Sequence, residues 1–202
     1  RLLISKGMTG ATGCYYCGLL EFEEMCFAAH LLGEEWLFID VGANVGVYTV
    51  LASSVSKAKS ISVEPDERAR KRLAKNIEIN QIGGICDVID AVLTDHPGHI
   101  QFSEGLDVEN RVLTSADNVE GVKKTATTLD RLHDHTKKTL IKIDVEGHES
   151  FVLKGALETL AAESCAALII ETVDDESKRI LQESDFVEII YDPGQRSVKE
   201  YC

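Results

Sequence analysis

The stretch that decides the fold is Phe38-Ile39-Asp40-Val41-Gly42-Ala43-Asn44-Val45-Gly46-Val47-Tyr48-Thr49. It opens on an apolar run at residues 37–39, which predicts a buried strand, and after its glycines the pattern becomes helical. Gly42 permits a turn or a close backbone approach that a side chain would block, and we expect Gly46 to let the helix lie close to the strand. A strand, a glycine turn and a helix N-terminus form an arrangement that binds the polar end of a cofactor.

The turn has the pattern D-x-G-x-N-x-G, formed by Asp40, Gly42, Asn44 and Gly46. It lacks the G-x-G-x-x-G of a dinucleotide site and the Lys-Ser/Thr of a phosphate-binding P-loop. Asp40 would repel a phosphate but suits an amino group beside a carboxylate, which S-adenosylmethionine carries. Glu64 ends the next predicted strand, where a carboxylate accepts hydrogen bonds from both ribose hydroxyls. The alternative is a glycine turn that only packs a strand on a helix.

The composition predicts one soluble globular domain that does not bind a phosphate backbone. The chain has 202 residues, of which 44% are hydrophobic and 27% charged, and its formal charge is −13. Such a charge argues against nucleic acid as a partner, though not against a small nucleotide. No apolar run is long enough to span a membrane. Because the first residue is Arg1 rather than Met, a trimmed N-terminus with a lost targeting or anchoring segment stays open.

The cysteines predict a cytoplasmic protein with reduced thiols. Cys14 and Cys17 have the spacing of a metal or redox pair, and Cys26 and His30 follow one helical turn apart. A zinc site would need these two pairs to converge. We therefore favour free thiols, with zinc or a redox pair as the alternatives.

Strands that alternate with helices predict an α/β fold, namely a doubly wound, mostly parallel sheet that ends in an antiparallel hairpin. The predicted strands are 37–39, 60–63, 88–89, 99–103, 140–144 and 166–170, with a hairpin of 186–191 and 197–201. The predicted helices are 21–32, 45–53, 66–79, 149–160 and 174–183. We expect residues 1–202 to form a single domain, with residues 1–35 as a helical cover over the cofactor pocket and 36–202 as the core. An insertion near 95–135, with a long loop at 105–125, would lie on the acceptor side.

Five acids end predicted strands and therefore gather at one edge of the sheet. They are Asp40, Glu64, Asp90, Asp144 and Glu171. Such an edge suits a cationic sulfonium cofactor, a hydroxyl-bearing acceptor or a metal. Asp90 could accept a hydrogen bond from an adenine amino group, with a solvated turn acid as the alternative.

The densest polar cluster is Asp144, Glu146, His148 and Glu149. Methyl transfer to a hydroxyl needs the nucleophile to be aligned and its proton removed. We predict Asp144 as the positioning group or base, with Glu146 and His148 as helpers. Capping or solvated roles for the two glutamates, and a structural role for His148, are the alternatives. We assign no metal ligand, although a divalent metal held by Asp144, Glu146 or His148 stays open.

These motifs resemble the FkbM-type methyltransferases. The resemblance runs from about 18 to 172 and is carried by residues 18–25, 40–49, Glu64-Pro65, Asn76 with Asn80, Thr128-Leu129-Asp130, 141–149 and Gly155-Ala156. Its most specific part is residues 142–149. The resemblance implies a class I, Rossmann-like methyltransferase fold that uses S-adenosylmethionine, usually to methylate a hydroxyl oxygen of a sugar or natural product.

Carried over, residues 40–46 would bind the methionine part of the cofactor, Glu64 the ribose, and residues 144–149 would border the acceptor. The expected cofactor-binding set is Asp40, Gly42, Asn44, Gly46, Tyr48, Glu64 and Asp90. The expected partner is a small-molecule or glycan acceptor, and the oligomeric state is left open, with a homodimer as one option. The competing interpretations are a nicotinamide-dependent oxidoreductase on the same fold and a nucleoside-binding module without turnover.

Overall fold

The computed structural model describes residues 1–3, 12–103, 110–114, 117 and 121–201. The strands are β1 (Leu37–Val41), β2 (Lys59–Val63), β3 (Cys86–Ile89), β4 (Val92–Leu93), β5 (Gly98–Phe102), β6 (Val122–Thr127), β7 (Thr139–Ile143), β8 (Cys165–Ile170), β9 (Ile189–Asp192) and β10 (Ser197–Glu200). The helices are α1 (Thr12–Cys17), α2 (Phe22–Leu31), α3 (Val47–Val50), α4 (Glu67–Asn80), α5 (Glu149–Lys154), α6 (Leu157–Leu160) and α7 (Asp175–Glu183). A π-helical segment, Leu51–Val55, continues α3.

The central sheet has five parallel strands in the order β3-β2-β1-β7-β8. Helices connect β1 to β2, β2 to β3 and β7 to β8, and β9 and β10 pair antiparallel as a hairpin. The mostly parallel, doubly wound sheet and its C-terminal hairpin are therefore confirmed. A separate small sheet joins β4 and β6 in parallel and β5 and β6 antiparallel.

The two central strands are buried along their whole length, which explains why most of their residues are apolar. Alternate residues of each strand face opposite sides of the sheet. Ile39 and Ile141 belong to the core on the α5 side, whereas Phe38 and Leu140 belong to the core formed with α2 and α3. The helix α2 thus covers one face of the sheet beside the end of β1.

The predicted loop at 105–125 is wrong at its C-terminal end, because β6 already begins at Val122. Its polar residues, such as Lys123 and Lys124, pair with β5, so the backbone partner rather than apolar periodicity makes this segment a strand. Residues 104–109, 115–116 and 118–120 of the loop, and residues 4–11 of the predicted cover, lie outside the described residues.

The prediction of a single helix over residues 149–160 is also wrong, because the helix is interrupted between α5 and α6. Gly155 lies against the backbone of Thr94, where an added Cβ would be 2.1 Å from the carbonyl oxygen. Asp130 then caps α6, accepting hydrogen bonds from the backbone N–H groups of Thr159 at 2.7 Å and Glu158 at 3.3 Å. The Thr128-Leu129-Asp130 and Gly155-Ala156 motifs are therefore two sides of one helix junction.

None of the described helices combines the length and the apolar character needed to cross a membrane. The five cysteines within the described residues are free thiols.

Candidate active site

The glycine turn joins β1 to α3 through two left-handed residues whose Cβ positions are blocked. At Gly42, with φ of 78°, an added Cβ would lie 1.8 Å from the carbonyl oxygen of Asp144, so the backbones of β1 and β7 meet here. At Gly46, with φ of 85°, it would lie 2.3 Å from Leu73 Cδ1. The neighbour that requires a glycine at 46 is thus α4, not the strand that we expected. Asn76 of α4 also donates a hydrogen bond of 2.8 Å to the carbonyl of Val45.

Glu64 lies directly after β2 and is held by two backbone donors. Its carboxylate accepts hydrogen bonds from the N–H groups of Asn44 at 2.8 Å and Asp66 at 2.7 Å. Burial raises the pKa of Glu64 to about 7, although these hydrogen bonds oppose the shift. Asn44 has φ of 49°, and among the described residues its buried Oδ1 atom has no hydrogen-bond partner.

A cavity of about 350 Å³ opens at the carboxyl ends of the central strands. Six acids line it: Glu21, Asp40, Glu64, Asp144, Glu146 and Glu171. Residues of the N-terminal cover, namely Cys14, Leu20, Glu21 and Met25, line another part of its wall. Among the described residues that line the cavity, Lys142 is the one lysine or arginine. The cavity is therefore strongly acidic and suits a ligand that carries positive charge.

Lys142 is the candidate site residue that sequence reasoning missed. Its Nζ atom donates a 2.6 Å hydrogen bond to Asp144 Oδ2 and lies 4.8 Å from the ring centroid of Tyr48. Only 5% of the residue is exposed, and burial alone would lower the pKa of Lys142, but Asp144 and Asp40 outweigh that effect and raise it. A lysine inside an otherwise apolar strand, two residues before Asp144, was the signal that could have identified it.

Asp40 and Tyr48 connect the end of β1 to its surroundings. Asp40 is 2% exposed and accepts a 2.7 Å hydrogen bond from Thr49 Oγ1. Burial raises the pKa of Asp40, while Lys142 opposes the rise. The Tyr48 hydroxyl donates a 2.6 Å hydrogen bond to Glu21, which ties the N-terminal cover to the cavity wall. Burial, together with Glu21, raises the pKa of Tyr48.

Three carboxylates meet at the ends of β7 and β8. Oxygens of Asp144, Glu146 and Glu171 lie within 4.8 Å of one another. Lys142 lowers the pKa of Asp144 despite its burial, whereas a hydrogen bond to Asp144 raises the pKa of Glu171 to about 7. This spacing could hold a divalent metal, with Glu171 in place of the His148 considered from the sequence. Because Lys142 already neutralises Asp144, and acidic groups often gather without an ion, we assign none.

His148 lies at the junction with a second cavity, of about 460 Å³. Val112, Glu146 and His148 line both cavities. The imidazole Nε2 atom is 3.1 Å from Thr94 Oγ1, and the ring stacks on Phe151 with centroids 4.6 Å apart. Burial lowers the pKa of His148, so the ring is neutral at pH 7.

Most of the residues predicted from the sequence come together in the first cavity. Those that line it are Asp40, Gly42, Asn44, Tyr48, Glu64, Asp144, Glu146 and His148. Gly46 does not line the cavity and lies against Leu73 of α4. Asp90 does not line the cavity, because its half-exposed carboxylate pairs with Arg70 at 2.6 Å.

The family model described as "Methyltransferase FkbM domain" matches residues 40–190. The chain belongs to the FkbM methyltransferase family. This FkbM chain therefore has the family and the fold of methyltransferases, and both support S-adenosylmethionine as its cofactor. No curated protein sequence matches it significantly.

Solved structures share the fold of this FkbM chain at low identity. The methyltransferase FkbM from Methylobacillus flagellatus KT aligns with a TM-score of 0.57 and 16% identity, over 87% of this chain and 48% of that one. The precorrin-6y C5,15-methyltransferase from Geobacter metallireducens GS-15 aligns with 0.54 and 10%, over 100% and 89%. An rRNA methylase from Streptococcus thermophilus aligns with 0.50 and 15%, over 84% of both. This chain thus spans about half the length of the FkbM protein from M. flagellatus.

The residues present fit S-adenosylmethionine. Asn44 supplies a buried oxygen without a partner among the described residues, and the acids around the cavity suit a sulfonium cation. Glu64 supplies a carboxylate at the end of the strand next to β1, where ribose hydroxyls can donate to it.

Proposed function

We propose that this FkbM chain transfers the methyl group of S-adenosylmethionine to a hydroxyl oxygen of a sugar, a glycan or a small metabolite. The observation that carries the proposal is the position of Glu146 and His148, which line both cavities beside Asp144. The first cavity would hold the cofactor, and the second would hold the acceptor. The two ligands would then meet at the segment that follows β7.

The first cavity offers candidate partners for the methionine part and the ribose of the cofactor. Asp40 and the turn from Gly42 to Gly46 would bind the methionine part, with Tyr48 in the adjoining wall. Glu64 would accept the ribose hydroxyls. Asp90 stays a candidate for the adenine amino group, although it would first have to release Arg70.

The chemistry requires a positioned hydroxyl and a place for its proton. Bound S-adenosylmethionine supplies an electrophilic methyl group on a sulfonium sulfur. Asp144, kept ionised by Lys142, would accept the hydroxyl hydrogen bond and orient the oxygen. His148, which is neutral at pH 7, and Glu146 would assist in removing the proton.

The second cavity favours an uncharged, hydroxyl-bearing acceptor over a nucleic acid. Among the described residues that line it, Arg111 is the one lysine or arginine, and its guanidinium pairs with Asp117 at 2.6 Å. His96 likewise pairs with Asp95. Together with the formal charge of −13, these pairings offer little to a phosphate backbone. The family and its cofactor leave the nicotinamide alternative without support.

Two measurements test the proposal. Calorimetric titration with S-adenosylhomocysteine, run beside NAD, should give saturable micromolar binding of the former alone. Labelled methyl transfer from S-adenosylmethionine should then be followed on separate panels of sugars, glycans, hydroxylated metabolites, amines and RNA. The expected product is a methyl ether. Transfer to RNA or to nitrogen would overturn the proposed acceptor class, and cofactor binding without transfer to any panel would favour the binding module.

A further inference from the structure

Asp40 and Lys142 lie side by side on β1 and β7, at the wall of the first cavity. The two residues are partners in the parallel register of β1 and β7, on the strands that carry the cavity. Both are almost fully buried, and both line the cavity. A buried pair of opposite charges that borders a binding cavity is costly unless other groups complete its interactions.

We propose that Lys142 binds the carboxylate of the cofactor's amino-acid end, while Asp40 binds its ammonium group. This inference rests on the cofactor placement proposed above and adds to it the residue that binds the negative end. The amino acid is a zwitterion, and the site would present to it an acid and a lysine on neighbouring strands.

The electrostatics of the cavity leave Lys142 as the partner for a carboxylate. Six acids line the cavity, and those that are ionised would repel the carboxylate of the cofactor at close range. Among the described lining residues, Lys142 carries the one permanent positive charge. Arg70 lies outside the lining, and its guanidinium donates hydrogen bonds to Asp90 and to the carbonyl of Glu64.

The ammonium group of Lys142 has the donors needed to bind a carboxylate. It carries three N–H bonds, and among the described residues one is given to Asp144 at 2.6 Å. The Tyr48 ring, 4.8 Å away, fixes the position of the ammonium group from one side. Since Tyr48 is in turn bonded to Glu21, the N-terminal cover supports the same end of the cavity.

The test removes the carboxylate from the ligand and the cation from the protein. The affinities of S-adenosylmethionine and of decarboxylated S-adenosylmethionine, which lacks only the carboxylate, are measured by calorimetry for wild type and for Lys142→Met. The same proteins are titrated with 5′-methylthioadenosine, which lacks the whole amino-acid end. Lys142→Arg keeps the charge, and Lys199→Met removes an exposed lysine from β10, away from the cavity.

We expect wild type to prefer the carboxylated ligand by about 10- to 100-fold, as for a hydrogen-bonded ion pair. Lys142→Met should reduce this ratio to near one and change the affinity for 5′-methylthioadenosine little. Lys142→Arg should retain most of the ratio, and Lys199→Met all of it.

Equal affinity of wild type for the two S-adenosyl ligands would overturn the inference alone, as would a wild-type ratio in Lys142→Met. If Lys142→Met binds none of the ligands, two other results decide the inference. Wild type must prefer the carboxylated ligand, and Lys142→Arg must keep most of that preference; failure of either overturns the inference. Absence of any S-adenosylmethionine or S-adenosylhomocysteine binding by wild type would instead overturn the proposed function, and this inference with it.

Discussion

Asp144 and Glu171 lie side by side at the ends of β7 and β8 and share a proton below about pH 7. The register pairs Ile143 with Ile170, and the Glu171 N–H group donates a 3.1 Å hydrogen bond to the Ile143 carbonyl, so the two acids leave the sheet together. Because Lys142 keeps Asp144 ionised, the proton resides on Glu171. Two neighbouring acids thus acquire different protonation states from one buried lysine.

Asp144→Asn should reduce methyl transfer by about 100-fold or more and change cofactor affinity little. The amide cannot accept the hydroxyl proton, and it orients the acceptor less well than a carboxylate does. The measurement is calorimetry with S-adenosylhomocysteine beside the transfer assay. Asp87→Asn, an exposed acid on β3 outside the cavity, is the control and should be fully active. Full activity of Asp144→Asn would rule out its assigned role.

Glu64→Ala should weaken S-adenosylhomocysteine binding by at least about tenfold. The variant removes the carboxylate expected to accept both ribose hydroxyls, and hydrogen bonds to a charged group contribute about 1.5–3 kcal/mol. It also releases the Asn44 N–H group, so the turn itself should loosen. Calorimetry gives the affinity. Unchanged affinity in a folded Glu64→Ala variant would show that another group holds the ribose.

Folding stability should fall as the pH rises between about 4.5 and 7, in part because of Glu64. Its pKa is about 7 in the folded state against an ordinary value of 4.5, so the folded state binds this proton more tightly. The contribution is complete below pH 4.5 and lost above pH 7, with a full size on the order of 3 kcal/mol.

This pH effect can be isolated by comparing urea unfolding of wild type and Glu64→Gln at pH 5 and pH 8. The glutamine does not titrate, so the variant should lose less stability than wild type between the two values. The difference between the two proteins, rather than either curve, is the readout, because other acids titrate in the same range. Parallel losses would mean that Glu64 titrates normally.

Gly42→Ala should lower the free energy of unfolding by about 3 kcal/mol or more and abolish cofactor binding. The new Cβ would overlap the Asp144 carbonyl oxygen, and alanine is strained at this positive φ. Thermal unfolding measures the loss. Gly84→Ala is the matched control, since an added Cβ there meets nothing within 4 Å. Equal stability of the two variants would contradict the tight contact between β1 and β7.

Asp130→Ala should cost about 1 kcal/mol of stability without a change in cofactor affinity. The carboxylate caps α6, and loss of such a cap typically has this effect. Unfolding in urea and calorimetry on the same sample separate the two quantities. A large loss of affinity would instead assign Asp130 a place in the cofactor site.

Local pattern was enough to predict the central strands and the glycine turn. Most residues of β1 and β7 are apolar, and a short apolar run that is bounded by turn residues indicates a buried strand. Gly42 and Gly46 readily adopt positive φ values in any protein, which predicts a turn from the sequence alone. The acids after β2, β7 and β8 reach the cavity because a parallel sheet brings the carboxyl ends of its strands to one edge.

The predictions from the sequence failed where a contact with a residue distant in the chain determines the structure. Val122 starts a strand because β5 supplies hydrogen bonds to a polar segment that has no apolar period of its own. Gly155 interrupts a predicted helix because the backbone of Thr94 lies against it. Asp90 does not line the cavity because its carboxylate pairs with Arg70, which lies on α4 and precedes it by 20 residues.

By itself the sequence determined the parallel sheet, the glycine turn after β1 and the family to which the chain belongs. Only the tertiary structure decided which acids share a proton, which lysine neutralises them and where the two cavities join. The physical reason is that strand and turn preferences act between near neighbours in the chain, whereas charge interactions depend on distances that folding alone sets. Lys142 became part of the site because β7 lies beside β1, which places its ammonium group between Asp40 and Asp144.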